Sequence, residues 1–177
     1  MPRANVYLTG FMGSGKSTVG PHLANRLGAA FVDLDASIQD TMGLSIAALF
    51  EHHGEAAFRR AERAALQATT ERHGLVVATG GGALLDEAAY RLAAAAGTIV
   101  YLRVPAEVLA ERLAGEAATR PLLHDRTGDP LAGAALVARI DALLTQRAGA
   151  YERADVVVQA DALAASTVAT WIDEALA

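Results

Sequence analysis

The sequence predicts a three-layer α/β/α fold in which five parallel strands are covered by helices on both faces. Two observations carry this. Short β-branched apolar runs alternate with longer Ala/Leu-rich segments, and that alternation implies a parallel sheet with its crossover helices packed on both sides. The first strand–helix junction also reads Gly10-Phe-Met-Gly-Ser-Gly-Lys16-Ser17. This is the phosphate-binding pattern G-x-x-x-x-G-K-[ST], which belongs between a strand and a helix.

The predicted strands are Val6–Thr9, Ala30–Leu34, Leu75–Thr79, Thr98–Arg103 and Asp155–Gln159. The predicted helices are Lys16–Leu27, Ser45–Arg72 with a break near His53-Gly54, Asp86–Ala96, Ala106–Leu113, Gly133–Arg153 and Ala164–Ala175. The polar stretch Gly115–Pro130 is rich in Gly, Pro, Thr and Asp and reads as a loop that orders on demand, not as core. No internal repeat or low-complexity linker interrupts the chain, and 177 residues correspond to one domain.

Composition narrows the function classes. At 53% apolar residues the chain is globular, and no apolar run approaches the ~18 residues needed to span a bilayer. Cysteine is absent, which excludes a disulfide framework and thiolate metal sites. Val6-Tyr7-Leu8 is too short for the core of a secretion signal. The expectation is a cytoplasmic protein that engages no membrane. A net charge of −5 argues against a nucleic-acid partner. Of the 15 basic residues the only lysine is Lys16, where a compact, mobile ammonium suits phosphate better than arginine does.

The phosphate motif assigns roles to its residues. Its glycines let successive backbone N–H groups, those of Gly13, Ser14 and Gly15 among them, turn inward on an anion. The helix starting at Lys16 and continuing through Ser17 and Thr18 adds its positive N-terminal end. Lys16 is expected on the β- and γ-phosphates of ATP, and the Ser17 hydroxyl on Mg²⁺. Pro21 falls about a turn into that helix, where a kink or a gap near Ser17 is expected.

Further along, Asp33 and Asp35 end the second strand. Period-two alternation aims both side chains toward the strand carboxyl ends, where ligands bind in open parallel sheets. Asp33 suits Mg²⁺ held through water. Two readings fit Asp35: a substrate-hydroxyl acceptor that also serves as base, or a cap on a helix starting at Ala36. Arg59 and Glu62, three apart on one helix, allow Glu62 to orient a guanidinium toward a carboxylate or phosphate. A solvated salt-bridged face is the other reading, and Arg60 and Arg63 are assigned to it. Gly80, Gly81 and Gly82 suit close approach of an anionic ligand to the main chain, or form a plain flexible turn. Arg120 lies in the polar stretch, where a closing lid would bring its charge to the transferring group. Arg147 is either a second carboxylate ligand or a surface arginine.

In this order the pieces resemble the shikimate kinase family over nearly the whole chain: Leu8–Gly20, Asp33-Leu-Asp35, Gly54-Glu-x-x-Phe-Arg59-x-x-Glu62, Gly80-Gly-Gly82, Arg120-Pro-Leu-Leu123 and Arg147-x-x-x-Tyr151. The phosphate loop alone marks only a superfamily; the other motifs together are far more specific. The resemblance implies a nucleoside-monophosphate-kinase-like sheet of order 2-3-1-4-5, a substrate-binding subdomain at 33–64 and a lid at 113–130. It implies transfer of the ATP γ-phosphate to the 3-hydroxyl of shikimate by a monomer. Arg59, Arg147 and the Gly81 amide, flanked by Gly80 and Gly82, would hold the carboxylate, and Asp35 the ring hydroxyls. Arg120 would close on the phosphates, with Mg²⁺ at Ser17 and Asp33.

Three departures stand out. Pro21 replaces a usual arginine. The adenine-stacking arginine, usually seven residues before the lid arginine, is Leu113 here, so that Arg112 lies eight before Arg120. The loop Ala160–Ala165 lacks the Arg and Pro often found around adenine. Two rival readings are another small-molecule kinase, acting on gluconate or a nucleoside monophosphate, and a non-catalytic nucleotide-binding protein.

Overall fold

The computed structural model describes residues 4–161 and 164–177. Five strands, β1 (Asn5–Thr9), β2 (Ala30–Asp33), β3 (Leu75–Ala78), β4 (Gly97–Arg103) and β5 (Val156–Gln159), form one sheet in the order β2-β3-β1-β4-β5. Every pairing is parallel. Seven α-helices among the described residues cover it: α1 (Lys16–Leu27), α2 (Leu34–Met42), α3 (Ile46–Thr70), α4 (Glu87–Ala96), α5 (Ala106–Leu113), α6 (Gly133–Tyr151) and α7 (Ala165–Ala175).

Alternation along the strands builds two cores. Val6 and Leu8 of β1, Val76 of β3 and Val100 and Leu102 of β4 face one side, against α1, α5, α6 and α7. Tyr7, Val77 and Ile99 face the other, with Leu66 of α3 and Ala89 and Ala93 of α4. β1 is buried throughout, and its carboxyl end is where the chain order switches sides, the position at which open parallel sheets bind ligands.

Element boundaries agree with the sequence reading to within two residues, with one omission. α2 begins directly after β2, so the short predicted strand hid a nine-residue helix. Gly54 breaks α3 as expected, with φ 75° and ψ 172°, a conformation that glycine adopts freely. Pro21 does not interrupt α1, which runs without a non-helical residue from Lys16 to Leu27; Pro21 is exposed and leaves only one backbone acceptor without its helical partner. The stretch 115–130 is not a bare loop. It folds into two 3₁₀ turns, Ala117–Thr119 and Pro121–Leu123, because Ala117 and Leu123 are buried in the core and pin both turns. Beyond them Asp125 accepts from the backbone N–H groups of Thr127 and Asp129 and closes a tight polar turn.

One buried polar residue joins three elements. Asn5 is fully buried, and its Nδ2 donates to the Thr69 and Arg72 carbonyls at the end of α3 at 3.0 and 2.9 Å. Its Oδ1 accepts from Leu75 N–H at the start of β3 at 3.0 Å. Truncation would leave the Leu75 N–H and the Arg72 carbonyl without their partner, whereas the Thr69 carbonyl keeps the Arg72 N–H. Asn5→Ala should therefore lower the unfolding free energy by about 1–3 kcal/mol in urea titration.

Candidate active site

The phosphate loop is shaped by three glycines with positive φ: Gly10 (145°), Gly13 (77°) and Gly15 (96°). Between β1 and α1 they wrap the backbone around Lys16. The Lys16 ammonium fills the loop itself, donating to the Gly10 and Phe11 carbonyls at 2.8 and 2.9 Å and to Ser14 Oγ at 3.3 Å. Burial pulls its pKa down to about 8, while the charges of Asp35 and Asp33 hold it up. Gly13, Ser14, Gly15, Lys16, Ser17 and Thr18 line a cavity of about 390 Å³ together with Arg112, Ala160, Ala165 and Val168.

Arg112 does not extend freely over that cavity. Its guanidinium donates to the Gly13 carbonyl at 3.0 Å and to the Ala160 and Asp161 carbonyls at 3.2 and 2.5 Å. It ties the phosphate loop to the segment after β5 at the border of the cavity. Leu113, the residue in the register where an arginine was expected, is buried and packs on Gly13. Of the loop 160–165, residues 162 and 163 lie outside the described ones.

Ser17 and Asp33 meet, with Ser17 Oγ donating to Asp33 Oδ2 at 2.5 Å. Asp33, not Asp35, caps the helix that follows: its Oδ1 accepts from the Asp35 and Ala36 N–H groups. The alternation argument for the two acids fails, because β2 ends at Asp33 and Asp35 belongs to the first turn of α2. They converge anyway, since helical entry swings Asp35 back over the sheet edge. Burial pushes the Asp35 carboxyl up, Asp33 adds to this, and Lys16, Arg120 and Arg59 pull it back. The capping alternative for Asp35 is thus removed, and its carboxylate faces the cationic cluster.

Arg59 is held as the spacing implied, donating to Glu62 Oε2 at 2.7 Å, with Glu55 on its outer side. Its guanidinium lies over the Phe58 ring at 5.3 Å. Burial works against its charge, but the Glu62 contact more than offsets this and raises its pKa. Glu62 is buried, which raises its own pKa against the pull of Arg59. Arg63 pairs with Asp86 on the surface, the solvated role assigned to it.

The glycine triplet is a matter of room. A side chain on Gly80 would sit 2.8 Å from Glu62 Oε1 and 3.2 Å from Asp35 Oδ1; one on Gly81 would sit 3.2 Å from the Met12 backbone nitrogen. A side chain on Gly82 would lie 3.5 Å from the Arg59 guanidinium. The triplet is therefore neither a flexible turn nor placed by a ligand alone. The N–H groups of Gly81 and Gly82 have no protein acceptor among the described residues, so they remain open to an anion.

Arg147 stacks over the Phe11 ring at 5.3 Å and has no carboxylate partner among the described residues. From the other side, Arg120 pairs with Glu116 at 2.5 Å and reaches Met12 Sδ at 3.9 Å. The structure thus brings the phosphate loop, Asp33, Asp35, Arg59, the glycines, Arg120 and Arg147 to one edge of the sheet. Phe11 and Met12, the phosphate-loop residues beneath the two arginines, and Glu116, the partner of Arg120, were not singled out from sequence. Glu116 was detectable as the acid four residues before Arg120; no local signal marks Phe11 or Met12.

Known proteins place the chain. It is 50% identical over 156 residues, 88% of this chain and 76% of the relative, to a shikimate kinase of Salinibacter ruber. It is 46% identical over 157 residues, 89% of this chain and 82% of the relative, to that of Chlorobium chlorochromatii. The solved shikimate kinase from Acinetobacter baumannii in complex with shikimate superimposes with a TM-score of 0.87 at 34% identity, covering 98% of this chain and 93% of that one. The shikimate kinase family model matches residues 12–177. On that match, together with the fold and the assembled site, the chain belongs to the shikimate kinase family.

Proposed function

We propose that this chain transfers the γ-phosphate of ATP to the 3-hydroxyl of shikimate, giving shikimate 3-phosphate and ADP. The observation that supports it most is the pairing of two differently built ends beside the phosphate loop. One end offers Arg59, Arg147 and open glycine amides, which suit a carboxylate. The other offers Asp35, an acceptor for hydroxyls. A nucleotide acceptor does not account for this pairing, and a non-catalytic nucleotide binder has no use for it; gluconate, also a hydroxylated carboxylate, is disfavoured by the identity of this chain to shikimate kinases.

In the proposed reaction Lys16 leaves the Gly10 and Phe11 carbonyls for the β- and γ-phosphates. Gly13 to Thr18 cradle the phosphates, and Arg112 borders the adenine. Asp35 orients the acceptor hydroxyl and takes its proton as its oxygen bonds to the γ-phosphorus and the bridge to ADP breaks. Arg120 and Lys16 face the developing charge, and the 113–130 segment shields it from water. Residues 33–64 supply the acceptor side. Ser17 and Asp33 fit Mg²⁺: they offer a hydroxyl and a carboxylate already within 2.5 Å, hard oxygens of the kind the ion prefers alongside nucleotide phosphates. When bound, Mg²⁺ neutralises charge on the β- and γ-oxygens. No helix among the described residues is long and apolar enough to cross a membrane; the reading places a monomer in the cytoplasm.

The direct test measures ADP release from ATP and Mg²⁺ with shikimate, gluconate or a nucleoside monophosphate added in turn. Shikimate alone should stimulate it; stimulation by another acceptor instead would overturn the assignment. Asp35→Asn should keep ATP affinity while losing roughly 10²–10⁴-fold in kcat, so near-normal turnover would remove its role as base.

A pH limb follows from Lys16, whose pKa is lowered to about 8. The free enzyme loses this ammonium as pH rises through that value, so kcat/KM for ATP should fall above about pH 8. The kcat limb should lie higher, because bound phosphate stabilises the ammonium. Asp35 is the largest charge supporting Lys16, so Asp35→Asn should move the kcat/KM limb to lower pH. A limb that stays in place would separate it from Lys16.

A further inference from the structure

Tyr151 is the last residue of α6 and only 2% exposed. Its ring stacks on Tyr101 with centroids 4.9 Å apart and planes 18° from parallel. A buried, stacked tyrosine needs no further explanation than packing. Its hydroxyl does, because it crosses 70 positions of sequence to donate to the Gly81 carbonyl at 2.7 Å. Arg147 lies one turn earlier on the same helix, and its charge acts on the same hydroxyl. A phenol has one proton to give. With that proton on Gly81, the oxygen presents only lone pairs elsewhere, and the nearby guanidinium charge favours that orientation.

The consequence lies on the far side of the peptide. The Gly81–Gly82 peptide is trans, so the carbonyl of Gly81 and the N–H of Gly82 point in opposite directions across one rigid plane. Holding the carbonyl toward α6 therefore holds the Gly82 N–H away from it. That N–H has no protein acceptor among the described residues, and Gly82 borders the Arg59 guanidinium. Phe11 fixes the other face of Arg147 at 5.3 Å.

We infer that Tyr151 is a positioning residue for the acceptor's carboxylate: its hydroxyl holds the Gly81–Gly82 peptide in place beside Arg147. This rests on the acceptor reading proposed above. Tyr151 is buried and does not line the cavity at the phosphate loop, so its loss should weaken acceptor binding and spare the chemistry. The Arg147 charge acts on the Tyr151 hydroxyl, so the contributions of the two should be coupled.

The test is steady-state kinetics on wild type, Tyr151→Phe, Arg147→Ala and the double variant, with shikimate and ATP each varied. Phe keeps the ring stacked on Tyr101, so the fold is retained and only the hydroxyl is lost. Tyr151→Phe should raise KM for shikimate roughly fivefold, with kcat and KM for ATP within about twofold. In the Arg147→Ala background the same change should raise it by clearly less. An unmoved KM for shikimate, a loss confined to thermal stability, or an equal increase in both backgrounds would overturn the inference. Wild-type turnover with shikimate in the same assay separates the two levels. Without it, the acceptor reading and this inference fall together; with it and an unmoved KM, only the inference falls.

Discussion

The site depends on a seam with no room to spare: at Gly81 main chain meets main chain, and beside it the Glu62, Asp35 and Arg59 side chains fill the space. Gly80 to Gly82 lie so close to Glu62, to the Met12 nitrogen and to the Arg59 guanidinium that no side chain fits at the first two without displacing its neighbour. Van der Waals exclusion at this seam sets the distance between the phosphate loop and α3. It brings the proposed anion receptor and the nucleotide cradle within reach of one small molecule, as in-line transfer requires. Tyr151 and Arg147 close the seam from α6, so three elements remote in sequence share one joint.

Charge is arranged around that joint at a cost the protein distributes. Lys16 is buried with its ammonium satisfied by loop carbonyls, and burial lowers its pKa while Asp35 and Asp33 support its charge. Asp35 is strained in the opposite sense, raised by burial and by Asp33 and pulled back by three cations. Each charge depends on the others, so the pKa values belong to the cluster. Substrates would enter this network by replacing internal partners. Phosphate would take the place of the carbonyls at Lys16, and an acceptor hydroxyl would approach Asp35. Arg147, with no acidic partner among the described residues, is the group with charge to spare for a ligand.

One bracing arginine shows how a departure from the family pattern is absorbed. Arg112 stands one position before the register expected for an adenine-stacking residue, and Leu113 takes the buried place beside Gly13. Arg112 then spends its donors on the Gly13, Ala160 and Asp161 carbonyls. It stiffens the wall of the cavity at the phosphate loop.

The sequence alone determined what is local. The phosphate loop, the Arg59–Glu62 pair and the break at Gly54 each arise from residues a few positions apart, whose geometry follows from glycine dihedrals or helical spacing. The alternating runs were enough for the sheet, and the ordered motifs for the family. Tertiary structure decided what depends on distant partners. Asn5 bonds across 64 to 70 positions and Tyr151 across 70; the glycine triplet is required by neighbours on α3 and the phosphate loop. Asp35 was placed by a helix whose cap, Asp33, resembled the end of a strand. The division has one cause: short-range torsional and spacing rules are written in neighbouring residues, whereas steric room and hydrogen-bond partners exist only once the chain has closed on itself.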